Sequence, residues 1–391
     1  MKKFLVLITF IAVLLTACSA NKNITSKDFT EEQLDSSKYD VEKYTTPFWK
    51  GNIVYNECVF PIMNENNELV PFELMYDADE IISVRDYTLE KEYIEGIDYK
   101  LENGKLIIIP TGEIKVKMQD DIHHKENPNN YSSTYMFPHK NGEGFEFCND
   151  RDTFYRSLFV TYTHSDEWDG PKIKKSVEKL DNTIKKLNNG EKLNIVVTGD
   201  SISVGYNSSR IESTPPYADG YALMAVKALR EKYDSDIKFI NSAVGGSKAD
   251  FNADQLEKQI YQYNPSLCII AYGMNDGMVD VPSFEYKKNI EDRIKLIKEN
   301  LPDCEILLVT PFYANPNVSD TELYKEYAKC LYEIEASFEG VGLCDPQSFQ
   351  EYLMEEKDKD FLCFMSDNLV HPNDYGMRII AQCVLEALGA V

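Results

Sequence analysis

The sequence has no excess of basic residues. Its 41 lysines and arginines are outnumbered by 65 aspartates and glutamates, and the formal net charge is -24. Such a chain would repel phosphate backbones, and it carries no basic patch of the kind that binds nucleic acid. We therefore exclude nucleic acid as a partner and interpret the acidity as an aid to solubility at a cell surface.

The nine cysteines include no Cys-x-x-Cys pair. That spacing is typical of zinc clusters and redox motifs, so we expect neither a metal nor an organic cofactor. His123-His124 lies in a polar segment, which we interpret as a solvated loop and not as a metal site. Cys268 and Cys383 lie in apolar runs typical of buried free thiols. An exported protein could also pair its cysteines, and the sequence leaves that pairing open.

No apolar stretch is comfortably long enough for a transmembrane helix. The run at 4–15 is short and follows the basic Met1-Lys2-Lys3, which is the pattern of a targeting signal. It ends in Leu15-Thr16-Ala17-Cys18, which resembles the bacterial lipobox. The resemblance implies a signal peptide over 1–18, export, and a lipid anchor on Cys18 at the bacterial cell surface. The alternative is an ordinary secretory peptide. Polar residues over 19–44 predict a flexible tether.

Short strands are predicted from about residue 45 to 165. β-branched and aromatic runs alternate with turn residues, and Asn103-Gly104 is a strong hairpin signal. Many short strands with regular turns predict an all-β sandwich over 45–165, of a jelly-roll-like kind. The runs lie at 53–55, 80–84, 105–110 and 155–163.

The remaining chain has a different pattern. Apolar residues recur at helical spacing from Ile173 to Leu187, which predicts a connecting helix within 166–190. From 191 to 391, strands alternate with helices, which predicts a parallel sheet covered on both faces. In such sheets, active sites form at the carboxyl ends of the strands. The predicted strands are 193–198, 237–241, 267–272, 305–310 and 341–344.

Four motifs in this half carry the chemistry of acyl transfer. Gly199-Asp200-Ser201 follows the first strand, and a tight turn there would place the serine hydroxyl at the sheet edge. A serine is a poor nucleophile until a base takes its proton, and His371 can do so near neutral pH. The backbone N–H of Gly246, the side-chain amide of Asn275 and the N–H of Ser201 could hold an oxyanion.

In this order the motifs resemble the SGNH (GDSL-like) hydrolase superfamily over residues 191–391. The resemblance implies a three-layer α/β/α fold and no cofactor. It implies Ser201 as nucleophile and His371 as base, with Gly246 and Asn275 as oxyanion donors beside the Ser201 N–H.

One position departs from the family pattern. The family usually has an aspartate three residues before the histidine, where this sequence has Asn368; Asp367 lies one position earlier. His371 could therefore be oriented by Asp367, if the loop bulges by one residue, or by a backbone carbonyl in a Ser-His dyad. We favour Asp367.

The leading half resembles that of carbohydrate esterase family 2 and related exported bacterial deacetylases, on the segment Tyr93 to Tyr99. This resemblance implies removal of O-acetyl groups from a polysaccharide or oligosaccharide. Two alternatives remain: a lipase, lysophospholipase or thioesterase with the same site, and a non-catalytic cell-surface glycan-binding protein. Trp49 and Trp168 could stack on sugar rings, although buried aromatic residues are more common.

Overall fold

The computed structural model describes residues 39–125, 136–148 and 153–391. The predicted signal peptide, Cys18 and most of the predicted tether lie outside these ranges. No helix within the described ranges is both long and apolar enough to cross a membrane.

Short antiparallel strands form the N-terminal half, which is β-rich as predicted. Its largest sheet has the order β1-β9-β2-β3, and it is accompanied by a β4-β5 hairpin and a sheet of order β6-β8-β7. At the hairpin turn both Asn103 and Gly104 have positive φ, which these two residue types tolerate best. The strands are β1 Ile53–Val59, β2 Glu80–Asp86, β3 Glu92–Tyr93, β4 Tyr99–Glu102, β5 Lys105–Ile108, β6 His123–His124, β7 Met136–Pro138, β8 Phe145–Phe147 and β9 Leu158–Thr163.

One parallel sheet organises the C-terminal half, in the order β11-β10-β12-β13-β14. Each predicted strand agrees with an observed one to within one residue at either end, and with the helices the sheet confirms the α/β fold class. β11 and β12 lie on opposite sides of β10, so the carboxyl end of β10 is the switch point where such sheets bind ligands. The strands are β10 Leu193–Gly199, β11 Ile237–Asn241, β12 Leu267–Ala271, β13 Glu305–Val309 and β14 Val341–Cys344.

Helices follow most of these strands. The last of them is buried at all 14 positions, as expected for a helix that packs against neighbours on every side. The helices are α1 Val41–Thr45, α2 Asp181–Asn188, α3 Ser201–Val204, α4 Tyr221–Lys232, α5 Ala253–Gln259, α6 Met274–Met278, α7 Ser283–Asn300, α8 Thr321–Ser337, α9 Pro346–Glu355 and α10 Asp374–Ala387.

The connector between the halves is helical only in its second part, at α2. Before it, Ser176 accepts a hydrogen bond from Leu343 N at 3.0 Å and its hydroxyl donates to Leu343 O at 3.2 Å. These bonds pair the backbone N–H and C=O of Leu343 in the edge strand β14, and they hold the segment around Ser176 against that strand. Tertiary pairing thus replaces the first two turns that the apolar spacing predicts.

The two halves share one continuous apolar core. Arg378 of α10 is buried, and its Nη1 donates to Tyr55 O at 2.8 Å and Asn56 O at 2.9 Å, in β1. The side-chain amide of Gln382 donates to Tyr44 O at 2.9 Å. Residues 41–44, which the sequence assigned to the tether, therefore belong to a helix packed on α10. The other domain boundaries stay predictions.

Candidate active site

Ser201 is the first residue of α3, directly after β10. Asp200 caps this helix, and its side chain accepts a hydrogen bond from Ile202 N at 3.0 Å. A Cβ at Gly199 would lie 2.4 Å from Ala271 O, so only glycine allows β10 and β12 to converge here. The serine is 4% exposed. The turn therefore holds the hydroxyl at the sheet edge in a nearly water-free position.

His371 reaches this hydroxyl from the far end of the chain. Its Nε2 lies 2.9 Å from Ser201 Oγ, and its Nδ1 lies 2.6 Å from Asp367 Oδ2. A carboxylate can only accept, so Nδ1 carries the hydrogen and Nε2 is left as an acceptor facing the serine. Of the two groups considered for orienting the ring, the structure places Asp367 at Nδ1.

The other oxygen of Asp367 shapes the loop. Oδ1 accepts three backbone hydrogen bonds, from Leu369 N at 2.9 Å and from Val370 N and His371 N at 3.0 Å each. Burial alone would raise the pKa of Asp367, but the His371 ring and these donors lower it below its ordinary value. The carboxylate is thus charged when the histidine needs a counter-ion.

The loop accommodates the additional residue at Asn368, which has φ +53°. Asparagine tolerates this left-handed conformation better than most residues. The turn closes with Ser366 N donating to His371 O at 2.9 Å. This is the one-residue bulge that Asp367 requires in order to reach the imidazole.

The structure brings the loop of Gly246 together with the first turn of α6, which carries Asn275. Asn275 Nδ2 donates to Ser247 O at 2.9 Å, beside Gly246, and the amide has a second N–H. Gly246 is exposed with φ +77°, and no atom lies within 4 Å of a Cβ built there. Val244 N donates to Gly199 O at 3.0 Å, which ties this loop to the end of β10. Both predicted donors therefore lie at the serine's edge of the sheet, Gly246 on the loop after β11 and Asn275 in α6.

Two buried carboxylates adjoin the site. Burial raises the pKa of Asp200 to about 7, although the Ile202 N–H and His371 oppose the shift. Burial likewise raises the pKa of Asp276 to about 6, and both of its oxygens lie 3.1 Å from Ala249 N. Asp276 thus ties the loop after β11 to α6, and Asp200 caps α3.

Sequence patterns do not single out Tyr206. Its ring centroid lies 6.1 Å from that of His371, at an interplanar angle of 78°. A Cβ at Gly245 would lie 3.0 Å from the tyrosine Cε2. Tyr206 therefore packs between His371 and the loop that carries Gly245 and Gly246. The only signal in the sequence is that Tyr206 follows α3 closely. Its contact with the site becomes apparent only when the position of the loop after β11 is known.

The remaining sequence candidates lie elsewhere. The interpretation of His123-His124 as a solvated loop is wrong, because the pair forms strand β6 and His124 is buried. It pairs with β8, where His123 is opposite Glu146, and this partner lies too far along the chain for a local sequence pattern to reveal it. Within the described residues no group of three or more His, Cys, Asp or Glu could hold a metal ion.

The two tryptophans that could stack on sugar rings contact Phe349 instead. The ring centroid of Trp168 lies 4.8 Å from that of Phe349 in a stacked arrangement, and the ring centroid of Trp49 lies 4.8 Å from the same ring. Both tryptophans are used in packing between the halves.

The protein thus has a parallel sheet with a Ser-His-Asp arrangement at its switch point. These two features place it in the class of α/β proteins with a site like that of serine hydrolases. Comparison with known families makes the class more specific. Residues 197–379, just under half of the chain, match the GDSL-like Lipase/Acylhydrolase family. The chain therefore contains a GDSL-like (SGNH) domain, and this domain carries all the site residues named above.

Parts of the chain are also similar to solved structures. A two-domain esterase (CEX) active on acetylated mannans, co-crystallised with mannopentaose, is 21% identical with a TM-score of 0.43, over 55% of this chain and 54% of that one. The acetylxylan esterase Axe2 from Geobacillus stearothermophilus is 21% identical with a TM-score of 0.43, over 52% of this chain and 96% of that one. The match thus spans about half the length of the mannan esterase. No curated protein sequence matches the chain.

Proposed function

We propose that the protein is a serine esterase that removes O-acetyl groups from a carbohydrate. The observation that carries the proposal is the hydrogen-bonded series from Ser201 through His371 to Asp367, with separations of 2.9 and 2.6 Å. Both distances are within the range in which a base can take a proton from a nucleophile.

In the first half of the reaction, His371 Nε2 accepts the Ser201 proton as Oγ attacks the ester carbonyl. Asp367 stabilises the imidazolium that forms without itself taking the proton. The Ser201 and Gly246 N–H groups and the Asn275 amide donate to the oxyanion, where one donor contributes about 3–4 kcal/mol. The sugar hydroxyl then leaves with the proton from His371.

In the second half, water cleaves the acyl-enzyme by the same route. His371 takes a proton from the water, and the hydroxide attacks the acetyl carbonyl. The tetrahedral intermediate collapses, Ser201 regains its proton from His371, and acetic acid leaves and ionises in solution. The residues named here supply every proton transfer.

Three features favour a short acyl group on a bulky alcohol. A Cβ built at Gly246 meets no atom within 4 Å and the glycine is exposed, so the backbone there is open to a bulky ligand such as a sugar. Tyr206 packs close to Gly245, the residue before Gly246, which favours a small acyl group at this position. In the loop over 241–248 the exposed apolar side chain is Val244, a small surface for a long acyl chain. The likeness of the leading half to exported deacetylases points to the same substrate class.

The test is acetate release from a panel of acetylated glycans, including xylan, mannan and peptidoglycan. We expect release with at least one glycan and none with the matched Ser201→Ala variant. In parallel, p-nitrophenyl acetate should be cleaved faster than the palmitate ester. A preference for palmitate would contradict the carbohydrate proposal and favour a lipase. No release from any substrate would favour a binding protein.

We also propose that the protein is anchored at the cell surface through an acylated Cys18. The Leu-x-Ala-Cys pattern and its place after a short apolar run support this. Cells expressing the full chain would be grown with an alkyne-tagged fatty acid. We expect the tag on the wild-type protein and not on Cys18→Ser; equal tagging of both would contradict the proposal.

A further inference from the structure

A buried carboxylate in the N-terminal half lies against the loop of Asp367 and His371. Glu146 of β8 is 0% exposed. His123 Nδ1 lies 2.7 Å from both of its oxygens, and His139 Nε2 lies 2.8 Å from Oε1. The Asn317 amide donates to Oε1, and the Asn368 amide donates to Oε2 at 3.1 Å. A group with four partners is fixed in position.

Glu146 is charged in this setting. Burial alone would raise its pKa, but His123, Asn317 and His139 lower the pKa of Glu146 below its ordinary value. Burial alone would lower the pKa of His123, and Glu146 and Asp360 raise it above its ordinary value. A buried charge that loses a partner is costly, so each partner of Glu146 is strongly held.

The partner that matters for the reaction is Asn368. Its side chain is 0% exposed and donates to Glu146 and, at 3.1 Å, to Phe147 O, both in β8. Its backbone carbonyl accepts from Asn315 Nδ2 at 2.8 Å. The left-handed residue of the loop is therefore held from two sides, by the N-terminal half and by the segment after β13.

Asn368 is also the residue that places Asp367. It follows Asp367 directly, and its φ of +53° turns the chain so that the next three N–H groups face Asp367 Oδ1. A left-handed conformation is unfavourable for a residue other than glycine, although asparagine tolerates it better than most. Without its side-chain bonds the residue would tend toward ordinary backbone angles, and Asp367 would move relative to the imidazole.

We propose that Glu146 is a positioning residue, which acts through Asn368 to hold Asp367 against His371, so that the β-rich half completes the active site. The inference rests on the proposed esterase function and goes beyond it. It assigns a catalytic contribution to the N-terminal half that does not depend on that half touching the substrate. It also gives a reason why the additional residue before His371 is tolerated.

The test uses the full chain and three variants. Glu146→Gln removes the charge that holds Asn368. Asn368→Gly allows the positive φ without strain but removes the side-chain bonds that hold it, so it covers the case in which the buried Glu146 change impairs folding. Glu143→Gln is the matched control, because Glu143 is exposed in the turn between β7 and β8.

With p-nitrophenyl acetate, we expect kcat to fall about 10- to 100-fold in Glu146→Gln and Asn368→Gly, with KM within about two-fold. The double variant should be no worse than either single variant, because both remove the same link. Glu143→Gln should match the wild type. Wild-type kcat in both single variants, or losses that multiply in the double variant, would overturn the proposal.

A second readout does not require turnover. The proton between His371 Nδ1 and Asp367 should give a far-downfield proton NMR signal in the wild type, absent in Asp367→Ala. We expect the signal to be lost or broadened in Glu146→Gln and Asn368→Gly and kept in Glu143→Gln. An unchanged signal in both would overturn the positioning role. If the wild type shows the signal but cleaves no ester, the esterase proposal fails while the positioning role is still decided.

Discussion

Replacing Asp367 by asparagine tests the proposed proton transfer with little change of shape. The amide oxygen of asparagine can still accept the three backbone bonds that Oδ1 now accepts. Its amino group, however, would take the place of Oδ2, 2.6 Å from His371 Nδ1. Because the amino group donates, Nδ1 would become the acceptor, and the ring hydrogen would move to Nε2, facing Ser201. His371 could then no longer take the serine's proton.

The magnitude follows from this change of tautomer. The equivalent change in a Ser-His-Asp triad lowers kcat about 10⁴-fold. At about 1.4 kcal/mol for each factor of ten, this corresponds to about 5.5 kcal/mol of transition-state stabilisation. Stability should change little, since the loop keeps its acceptor. Asp367→Ala should also lose orders of magnitude in kcat, and in addition it leaves three N–H groups without that acceptor, at about 1–3 kcal/mol for each one that stays buried and unpaired.

The assay is hydrolysis of p-nitrophenyl acetate by Asp367→Asn, Asp367→Ala and the wild type, with urea denaturation of each. We expect both variants to be nearly inactive and only the alanine variant to be destabilised. A loss of only a few-fold in folded Asp367→Asn would refute the reasoning. It would show that His371 works as part of a dyad oriented by another group.

Three further predictions concern the surroundings of this site. Asn275→Ala should lower kcat about 10²–10³-fold by removing an oxyanion donor, and Asn275→Asp should not restore activity; a loss under ten-fold in stopped assays would argue against that role. Asp200→Asn keeps the α3 cap and removes a group whose pKa burial raises from 3.8 to about 7. Above about pH 4 the unfolded chain loses the Asp200 proton while the folded wild type still holds it, so the free energy of unfolding of the wild type falls as the pH rises to 7. In urea titrations the variant should therefore match the wild type below pH 4 and be more stable by at most about 4 kcal/mol above pH 7. A stability difference that does not depend on pH would contradict this. Asn373→Ala should cost about 2 kcal/mol of unfolding free energy, because Asn373 accepts from Tyr375 N and Gly376 N at the start of α10; a change below about 0.5 kcal/mol would show that the cap is dispensable.

Much of the catalytic half could be predicted because its signals are local. Apolar runs mark the strands of a parallel sheet, and such sheets present the residues after their carboxyl ends at one edge. Ser201 and Asn275 follow β10 and β12 closely in sequence, so finding the strands was enough to place them together. Asp367 could be favoured because it also depends on a local signal: it lies close to His371 along the chain.

Contacts between the halves could not be predicted, because they join residues with no common pattern. Glu146 lies 222 positions from Asn368, and a glutamate between two phenylalanines in β8 is typical of an ordinary exposed strand residue. Tyr206 depends on the path of a loop 40 residues away. The connecting helix was predicted too long, since Ser176 pairs with β14 instead. In each case tertiary contacts override local preference.

The central claim is that Ser201 is a nucleophile activated by His371, and labelling with a fluorophosphonate tests it most directly. The account predicts a single adduct on the folded wild-type protein, mapped by mass spectrometry to Ser201. It predicts no adduct on Ser201→Ala and greatly slowed labelling of His371→Ala. An unlabelled wild type, an adduct on another residue, or equal rates with and without His371 would contradict the account.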